Sequence, residues 1–193
     1  MFYIDPYWLR RVANDVTQPR RDIPNFSTPV IQNPTFFHTL TRLHTVIESP
    51  TGKLEKETFL YTTFSQFVTH YGDRTPQPSS RYREPQTVKL ALDYLVDNLT
   101  QNISLDDLSA LTGLSAYHFL RVFRNTVGLP PHAYQTQLRI NRAKRMLAQG
   151  KEIVDVAYGT GFTDQSHFSN KFKRIVGATP RQYKLAQHAT RRV

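Results

Sequence analysis

Hydrophobic residues recur at three- to four-residue spacing along most of this chain, and this pattern predicts a mainly helical protein. The N-terminal stretch is less regular. Met1–Asp5 is a short apolar run compatible with a strand, and Pro6–Asn14 predicts one amphipathic helix with its proline in the first turn. Four prolines then predict irregular backbone over residues 17–34.

Two longer amphipathic segments, 33–49 and 53–71, predict a helical hairpin joined by a short turn. Asn33 is the predicted cap of the first helix, and Pro34 opens it. Their apolar stripes are compatible with ordinary core or with a dimer interface. A homodimer is favoured because the first 80 residues contain little else against which these faces can be buried. The residues proposed for the dimer interface are Phe36, Leu40, Leu43, Ile47 and Leu60.

Residues 73–87 hold three prolines and two serines and predict a linker. The sequence therefore divides into an N-terminal part at 1–72, a second domain at 88–186 and a basic tail at 187–193. The second domain begins with an amphipathic helix, Val88–Asn98, followed by a short helix that Ser104 and Asp107 cap together.

The second domain contains one unit twice, because residues 113–134 resemble residues 162–183 after a shift of 49 positions. The sequence of each copy predicts a helix, a turn that contains glycine and a second helix, which is the helix-turn-helix layout. The second helices, 115–127 and 164–176, are the predicted recognition helices. A helix over 131–149 joins the units and spans about 27–29 Å at 1.5 Å per residue. That length suits two successive major grooves, about 34 Å apart on one face of DNA.

The distribution of charge along the chain also favours DNA as the partner. The net charge is +10, of which residues 1–80 carry +1 and residues 81–193 carry +9. A basic surplus confined to one domain favours a polyanion, with nucleic acid before a membrane surface. The sequence has no cysteine, no run long enough to span a membrane and no signal-peptide pattern at its start. We expect a cytoplasmic protein with no membrane partner.

The outward positions of the recognition helices carry side chains suited to DNA. Arginine reads guanine, and asparagine or glutamine reads adenine, so Arg121, Gln165 and Asn170 are the best candidates for base contacts. Cations further along the helices suit phosphate contacts, which position the protein without reading sequence; these are Arg124, Lys171, Lys173 and Arg174. The connecting helix carries four further cations that are compatible with contacts to the DNA backbone or with a solvated face: Arg139, Arg142, Lys144 and Arg145.

Residues 88–184 resemble the DNA-binding domain of the AraC/XylS family of bacterial transcription regulators. The segment AYGTGFTDQSHFSNKFKRIVGATP at 157–180 and RINRAKRML at 139–147 carry this resemblance. It implies base contacts by Ala116, Tyr117, Leu120, Arg121, Asp164, Gln165, Ser166, His167 and Asn170. The set proposed for phosphate contacts is Ser115, His118, Arg124, Thr163, Lys171, Lys173 and Arg174. Leu120 departs from the family, whose members often carry a polar base reader there.

Residues 1–72 resemble the end of a cupin-type effector barrel followed by the family's dimerisation hairpin. The strands that form most of an effector pocket are absent from this sequence. It is therefore either a truncated version or a natural short form whose N-terminal part only dimerises, and a normal small-molecule effector site is not expected. An activator would also contact RNA polymerase, and any such regulator would be associated with the nucleoid.

Two other classes of function remain open on the residues alone. A DNA-binding architectural or antagonist protein would occupy sites without activating transcription, and the sequence does not separate this from an activator or repressor. An enzyme is disfavoured. Gly159-Thr160-Gly161 lacks the third glycine of a dinucleotide loop, the histidines have no zinc-ligand spacing, and no nucleophile elbow is present. We expect no cofactor.

Overall fold

The computed structural model describes residues 4–18, 26, 31–72, 75–76 and 84–190. Over these ranges the chain forms ten helices and one antiparallel pair of two-residue strands, so the predicted mainly helical fold is confirmed. The elements are α1 (Pro6–Val16), β1 (Thr17–Gln18), α2 (Pro34–Glu48), α3 (Lys53–Tyr71), β2 (Thr75–Pro76), α4 (Glu84–Asp97), α5 (Leu105–Thr112), α6 (Ala116–Val127), α7 (Pro131–Ala148), α8 (Ile153–Gly159), α9 (Gln165–Val176) and α10 (Pro180–Thr190).

The helix boundaries follow local capping chemistry. The Asn33 side chain accepts a hydrogen bond from the backbone N–H of Phe36, as predicted for the start of α2. Ser104 and Asp107 form the reciprocal capping box that starts α5. Helix α4 begins at Glu84, inside the predicted linker, and α10 continues to Thr190, inside the predicted tail.

The predicted N-terminal strand falls largely on residues 1–3, which lie outside the described residues. Ile4 and Asp5 are not part of a strand. Instead, the Asp5 carboxylate accepts a hydrogen bond from the backbone N–H of Tyr7 at 2.7 Å, at the start of α1. The strands that do form are β1 and β2, and they place Thr17 opposite Pro76.

One hydrophobic core joins the N-terminal helices to the first helix-turn-helix unit. Its buried members come from α1 (Val12), α2 (Leu43), α3 (Phe64) and α6 (Phe119 and Phe123). The hairpin of α2 and α3 therefore does have a partner inside the chain. The argument that its apolar stripes lack an internal partner, on which the dimer was favoured, is wrong.

The second unit has a core of its own. Ile140 and Leu147 from α7 pack with Phe168 and Phe172 of α9, and the helix α8 adds Val156. The paired phenylalanines of each recognition helix are fully buried, as their spacing predicted. Each unit thus keeps its recognition helix fixed on its own scaffold.

Candidate nucleic-acid interface

Each recognition helix begins at a side-chain cap and ends at a glycine. The backbone N–H of His118 donates to Ser115 Oγ at 3.4 Å, and that of His167 donates to Asp164 Oδ1 at 2.7 Å. Gly128 and Gly177 end the helices with positive φ angles of 78° and 84°. The two units are therefore built alike, and Ser115 and Asp164 have a structural task whatever they contact on DNA.

The connecting helix holds the two units at a fixed distance and orientation. Helix α7 has 18 residues, which corresponds to about 27 Å. From its middle, Arg139 donates through Nε to the Leu99 carbonyl at 2.8 Å and through Nη2 to the Gln101 carbonyl at 2.9 Å. Arg139 is buried, and burial lowers its pKa to about 10. The sequence-based suggestion that Arg139 contacts a phosphate or lies on a solvated face is wrong.

The turn of the second unit is pressed against the loop that follows α4. Gly161 has φ +83°, and a Cβ there would lie 2.7 Å from the Thr100 carbonyl oxygen and 2.8 Å from its Cα. Neither atom can move without the backbone, so the site requires glycine for its dihedral angle and for its space. Arg139 and Gly161 together lock the units to the loop that follows α4.

The second recognition helix presents a largely open outer face. Gln165, Ser166 and Asn170 are exposed, and so are the basic residues Lys173 and Arg174. Amide side chains and cations on one helix face match the requirements for adenine contacts and phosphate contacts, respectively. This part of the predicted interface is free to meet DNA.

His167 lies inward from that face. Its ring is half-buried and meets Phe162 edge-on at 5.5 Å between centroids. Neither ring nitrogen has a hydrogen-bond partner among the described residues, and burial lowers the pKa of His167. A base contact by this side chain would require it to rotate outward, and that predicted role has no support in this arrangement.

The first recognition helix is covered by the N-terminal helices. Ala116 is only 2% exposed, Tyr117 packs against residues of α1 and α3, and Leu120 packs on the shared core. The Arg121 Nε is buried without a partner among the described residues, whereas the Arg124 side chain is exposed. The face that should enter a major groove is thus the face that the hairpin occupies.

Polar contacts fasten the N-terminal helices to the first unit. Arg11 pairs with Asp106. The backbone N–H of Leu105, at the start of α5, donates to the Glu57 carboxylate, which suits an anion at a helix N-terminus. The backbone N–H of Lys53 donates to Asn102 Oδ1 at 3.2 Å. These bonds join the hairpin and α1 to the region around the start of α5.

Two further contacts reach the second unit. Lys171 Nζ lies 2.7 and 2.9 Å from the two oxygens of Glu55, and both side chains are only 12% exposed. Thr163 Oγ1 donates to the Pro50 carbonyl at 2.7 Å. Two residues predicted to contact phosphate are therefore engaged by the hairpin, and the hairpin bridges both units.

A buried histidine lies at the centre of this contact. His132, at the start of α7, packs on Phe59 of α3 with ring centroids 5.5 Å apart. Burial lowers the pKa of His132 to about 4, because a charged ring would be poorly solvated there. The charged groups that face it are Glu55, Lys171, Arg42 and Arg174, of which only the carboxylate favours protonation.

Comparison with known proteins identifies the family. A model of the helix-turn-helix domain family matches residues 108–186. The transcriptional activator AarP of Providencia stuartii is 34% identical over 96 residues, which are 49% of this chain and 71% of that protein. The AraC-type transcriptional regulator structure from Chromobacterium violaceum has a TM-score of 0.50 at 29% identity and covers 53% of this chain and 92% of that one.

This chain belongs to the AraC/XylS family of transcriptional regulators. A longer relative, the uncharacterised regulator YbfI of Bacillus subtilis (strain 168), is 39% identical over 150 residues, 75% of this chain and 52% of that protein. Because only 106 residues follow position 87, this likeness extends into the N-terminal part. The chain spans about half the length of YbfI. Over the described residues, no helix is long and apolar enough to cross a membrane.

Most residues proposed for the dimer interface of this family member are used inside the chain. Leu43 is fully buried, so the structure contradicts its proposed place on an interface between chains. Phe36 stacks on Phe67 at 5.4 Å, Leu40 is half-buried, and Leu60 packs on the shared core. Ile47 lies at the edge of exposure, at 36%. Dimerisation therefore stays a prediction.

Proposed function

We propose that this chain is a sequence-specific regulator of transcription that inserts α6 and α9 into successive major grooves of double-stranded DNA. The observation that carries this proposal is the pair of similarly capped units held by α7, Arg139 and Gly161. A rigid connector about 27 Å long suits a protein whose two recognition helices meet successive major grooves, about 34 Å apart on one face of DNA.

In this proposal the exposed amides of α9 read sequence and its cations hold the backbone. Gln165 and Asn170 are suited to adenine, while Lys173 and Arg174 are suited to phosphates. In the first unit, Arg121 is the base reader, supported by the apolar contacts of Tyr117 and Leu120. The first-unit roles require the hairpin to leave α6.

We infer that the described arrangement is a closed form and that DNA binds an open form. Closure buries the groove-facing side of α6 and occupies Lys171 of α9 with Glu55. Opening exposes the first reading face and frees Lys171 at the same time. A protein of this kind occupies DNA in proportion to its open fraction.

The remaining partners follow from this role. An activator of this family would contact RNA polymerase, and a homodimer would use the surface that the closed form leaves exposed around Phe37 and Ile47 of α2. Binding to chromosomal DNA would place the protein in the cytoplasm and at the nucleoid.

Selection from a random duplex library at roughly physiological salt tests the proposal. We expect a motif with two conserved blocks about one helical turn apart, one for each unit. Selection with Glu55→Gln in parallel separates closure from lack of specificity, because this change opens the hairpin and leaves every predicted base contact intact. Enrichment of no motif by either protein would refute sequence-specific binding and leave the architectural alternative.

A further inference from the structure

The two helix-turn-helix units pack on different halves of α7. Tyr134 and Leu138 contact the core that the first unit shares with the N-terminal helices, whereas Ile140 and Leu147 belong to the core of the second unit. The boundary between the two cores therefore falls at Arg139, near the middle of the helix. Because the cores are separate, the orientation of one unit relative to the other depends on α7 and on the contacts made at this boundary.

The loop that follows α4, residues 98–104, is fixed to the first unit at both ends. Leu95 precedes it and Ile103 lies near its end, and both are buried in the same core as Phe119 of α6. The guanidinium of Arg139 donates two hydrogen bonds to carbonyls of this loop, at 2.8 and 2.9 Å. These bonds tie the middle of α7 to a loop whose position follows that of α6.

The same guanidinium lies against the turn of the second unit. Arg139 Cζ is 5.9 Å from the centre of the Phe162 ring, and a Cβ on Gly161 would lie 3.1 Å from that carbon. Phe162 packs on Phe168 of α9, inside the core of the second unit. One side chain therefore contacts a loop fixed to the first recognition helix and a turn fixed to the second.

Arginine is a costly residue for this position. Arg139 is only 9% exposed, and among the described residues no carboxylate forms an ion pair with it. A buried cation held by carbonyls alone loses hydration energy, and burial accordingly lowers its pKa to about 10. An apolar side chain would fill the space without this loss, but it would lack the two directional hydrogen bonds. The arginine therefore fits a role in geometry better than a role in stability alone.

The contacts of Arg139 do not depend on closure of the hairpin. In the closed form the hairpin also holds the second unit, because Glu55 pairs with Lys171. Thr163 makes a further bond to the Pro50 carbonyl. Both contacts end when the hairpin leaves, whereas the bonds of Arg139 join α7 to the loop after α4 and involve no residue of the hairpin. The open form therefore relies on α7 and Arg139 to keep the units in register.

We propose that Arg139 is a positioning residue that sets which spacing between two DNA blocks this regulator accepts. The consequence for DNA rests on the proposed function, and the structural part rests on the contacts of Arg139. One base pair more or less between the blocks moves the second block by about 3.4 Å and turns it by about 34–36° around the duplex. Units held in register cannot follow this change, whereas units joined by α7 alone can follow it as the helix bends.

The test compares duplexes in which the spacer between the two selected blocks is shortened or lengthened by one base pair. We expect the unchanged protein to lose at least about tenfold in affinity for either altered spacer, as for the loss of one base contact. Arg139→Met keeps a long side chain without the guanidinium, and we expect it to lose at most about threefold. Partial unfolding would lower the affinity by the same factor for every spacer, so the ratio between spacers isolates positioning.

Two further variants control this comparison. Arg142→Met removes the same charge from an exposed position of α7 and should keep the spacing preference of the unchanged protein, whatever its overall affinity. Arg139→Lys keeps a cation and a donor for one of the two carbonyls, so we expect an intermediate preference, and it carries the test if Arg139→Met does not fold. Equal spacing profiles for Arg139→Met and Arg142→Met, or acceptance of all three spacers by the unchanged protein, overturn the inference.

A second measurement needs no DNA. The chain has no cysteine, so Thr126→Cys and Ile175→Cys place one spin label on each recognition helix, at exposed positions related by the 49-residue shift of the repeat. Pulsed electron paramagnetic resonance then gives the distribution of distances between the labels, in a Glu55→Gln background that releases the hairpin. We expect Arg139→Met to broaden this distribution beyond that of Arg142→Met, and equal widths overturn the inference. Failure of the proposed function would appear separately, as a distribution that broadens in a chain that enriches no DNA motif.

Discussion

The ion pair between Glu55 and Lys171 offers the sharpest test of closure. Both side chains are 12% exposed, and the ammonium contacts both carboxylate oxygens within 2.9 Å. Removing one partner of a buried pair costs 3–5 kcal/mol, and the residual exposure reduces this to about 2–3 kcal/mol. Glu55→Gln should therefore shift the closed–open equilibrium toward the open form by about 30- to 160-fold, since 1.4 kcal/mol is tenfold.

The assay is fluorescence anisotropy with the duplex recovered by selection, at constant salt. If the closed form dominates and excludes DNA, the affinity of Glu55→Gln rises by that factor, up to the limit at which the open form is fully populated. The substitution leaves Lys171 itself in place, and therefore also its predicted phosphate contact.

Removing a carboxylate also makes the protein more basic and strengthens binding to any DNA. Glu48→Gln controls for this effect, because it removes the same charge from α2, where Glu48 is exposed and pairs with His44, one turn away. We expect at most a twofold gain from this control. Equal affinities for the two variants would refute the claim that the Glu55 contact holds the chain closed.

Three further predictions follow from single features of the structure. Gly161→Ala should destabilise the fold by at least 1 kcal/mol more than Gly113→Ala in urea unfolding, because both have positive φ but only Gly161 meets a backbone; equal losses would contradict the packing. His132 has its pKa lowered to about 4, so its stabilisation is complete above pH 6.5 and is lost as pH falls toward 4; urea midpoints from pH 7.5 to 4.5 should fall more in the unchanged protein than in His132→Gln. Lys173→Ala should weaken binding to all duplexes and lower the salt slope by about one, whereas Arg121→Ala should cost about 1–3 kcal/mol on the selected site and relax specificity at one base pair; the reverse pattern would exchange their roles.

The twin units were predictable because each is specified by residues close together in the sequence. Ser115 and Asp164 occupy cap positions, and Gly128 and Gly177 end the helices, so the boundaries follow from capping chemistry alone. The buried phenylalanines follow from helical spacing. These local preferences agree with the final fold, and this agreement is why the sequence reading succeeds there.

The packing of the hairpin was not predictable in the same way. The spacing of apolar residues shows which face of a helix is apolar, but not which surface covers that face. The position of Leu43 on its helix is therefore equally compatible with the core and with an interface between chains. The sequence likewise predicts a surface position for Arg139. Its two carbonyl acceptors lie about 40 positions earlier in the chain, and only the fold brings them close to it.

Closure also explains the residue that departs from the family. Leu120 lies where relatives often carry a polar base reader, and a leucine there gains little from hydrogen-bonding edges in a groove. In the closed form the same side chain packs on the shared core, beside Tyr117, which packs against α1 and α3. Fully burying a leucine contributes about 1.5–3 kcal/mol, and the half-buried Leu120 contributes a part of this to the closed form. The outer face of α6 thus packs on the N-terminal helices in the closed form and faces DNA in the open form. We expect Leu120→Gln to raise the fraction of open protein and to add a group that can read a base.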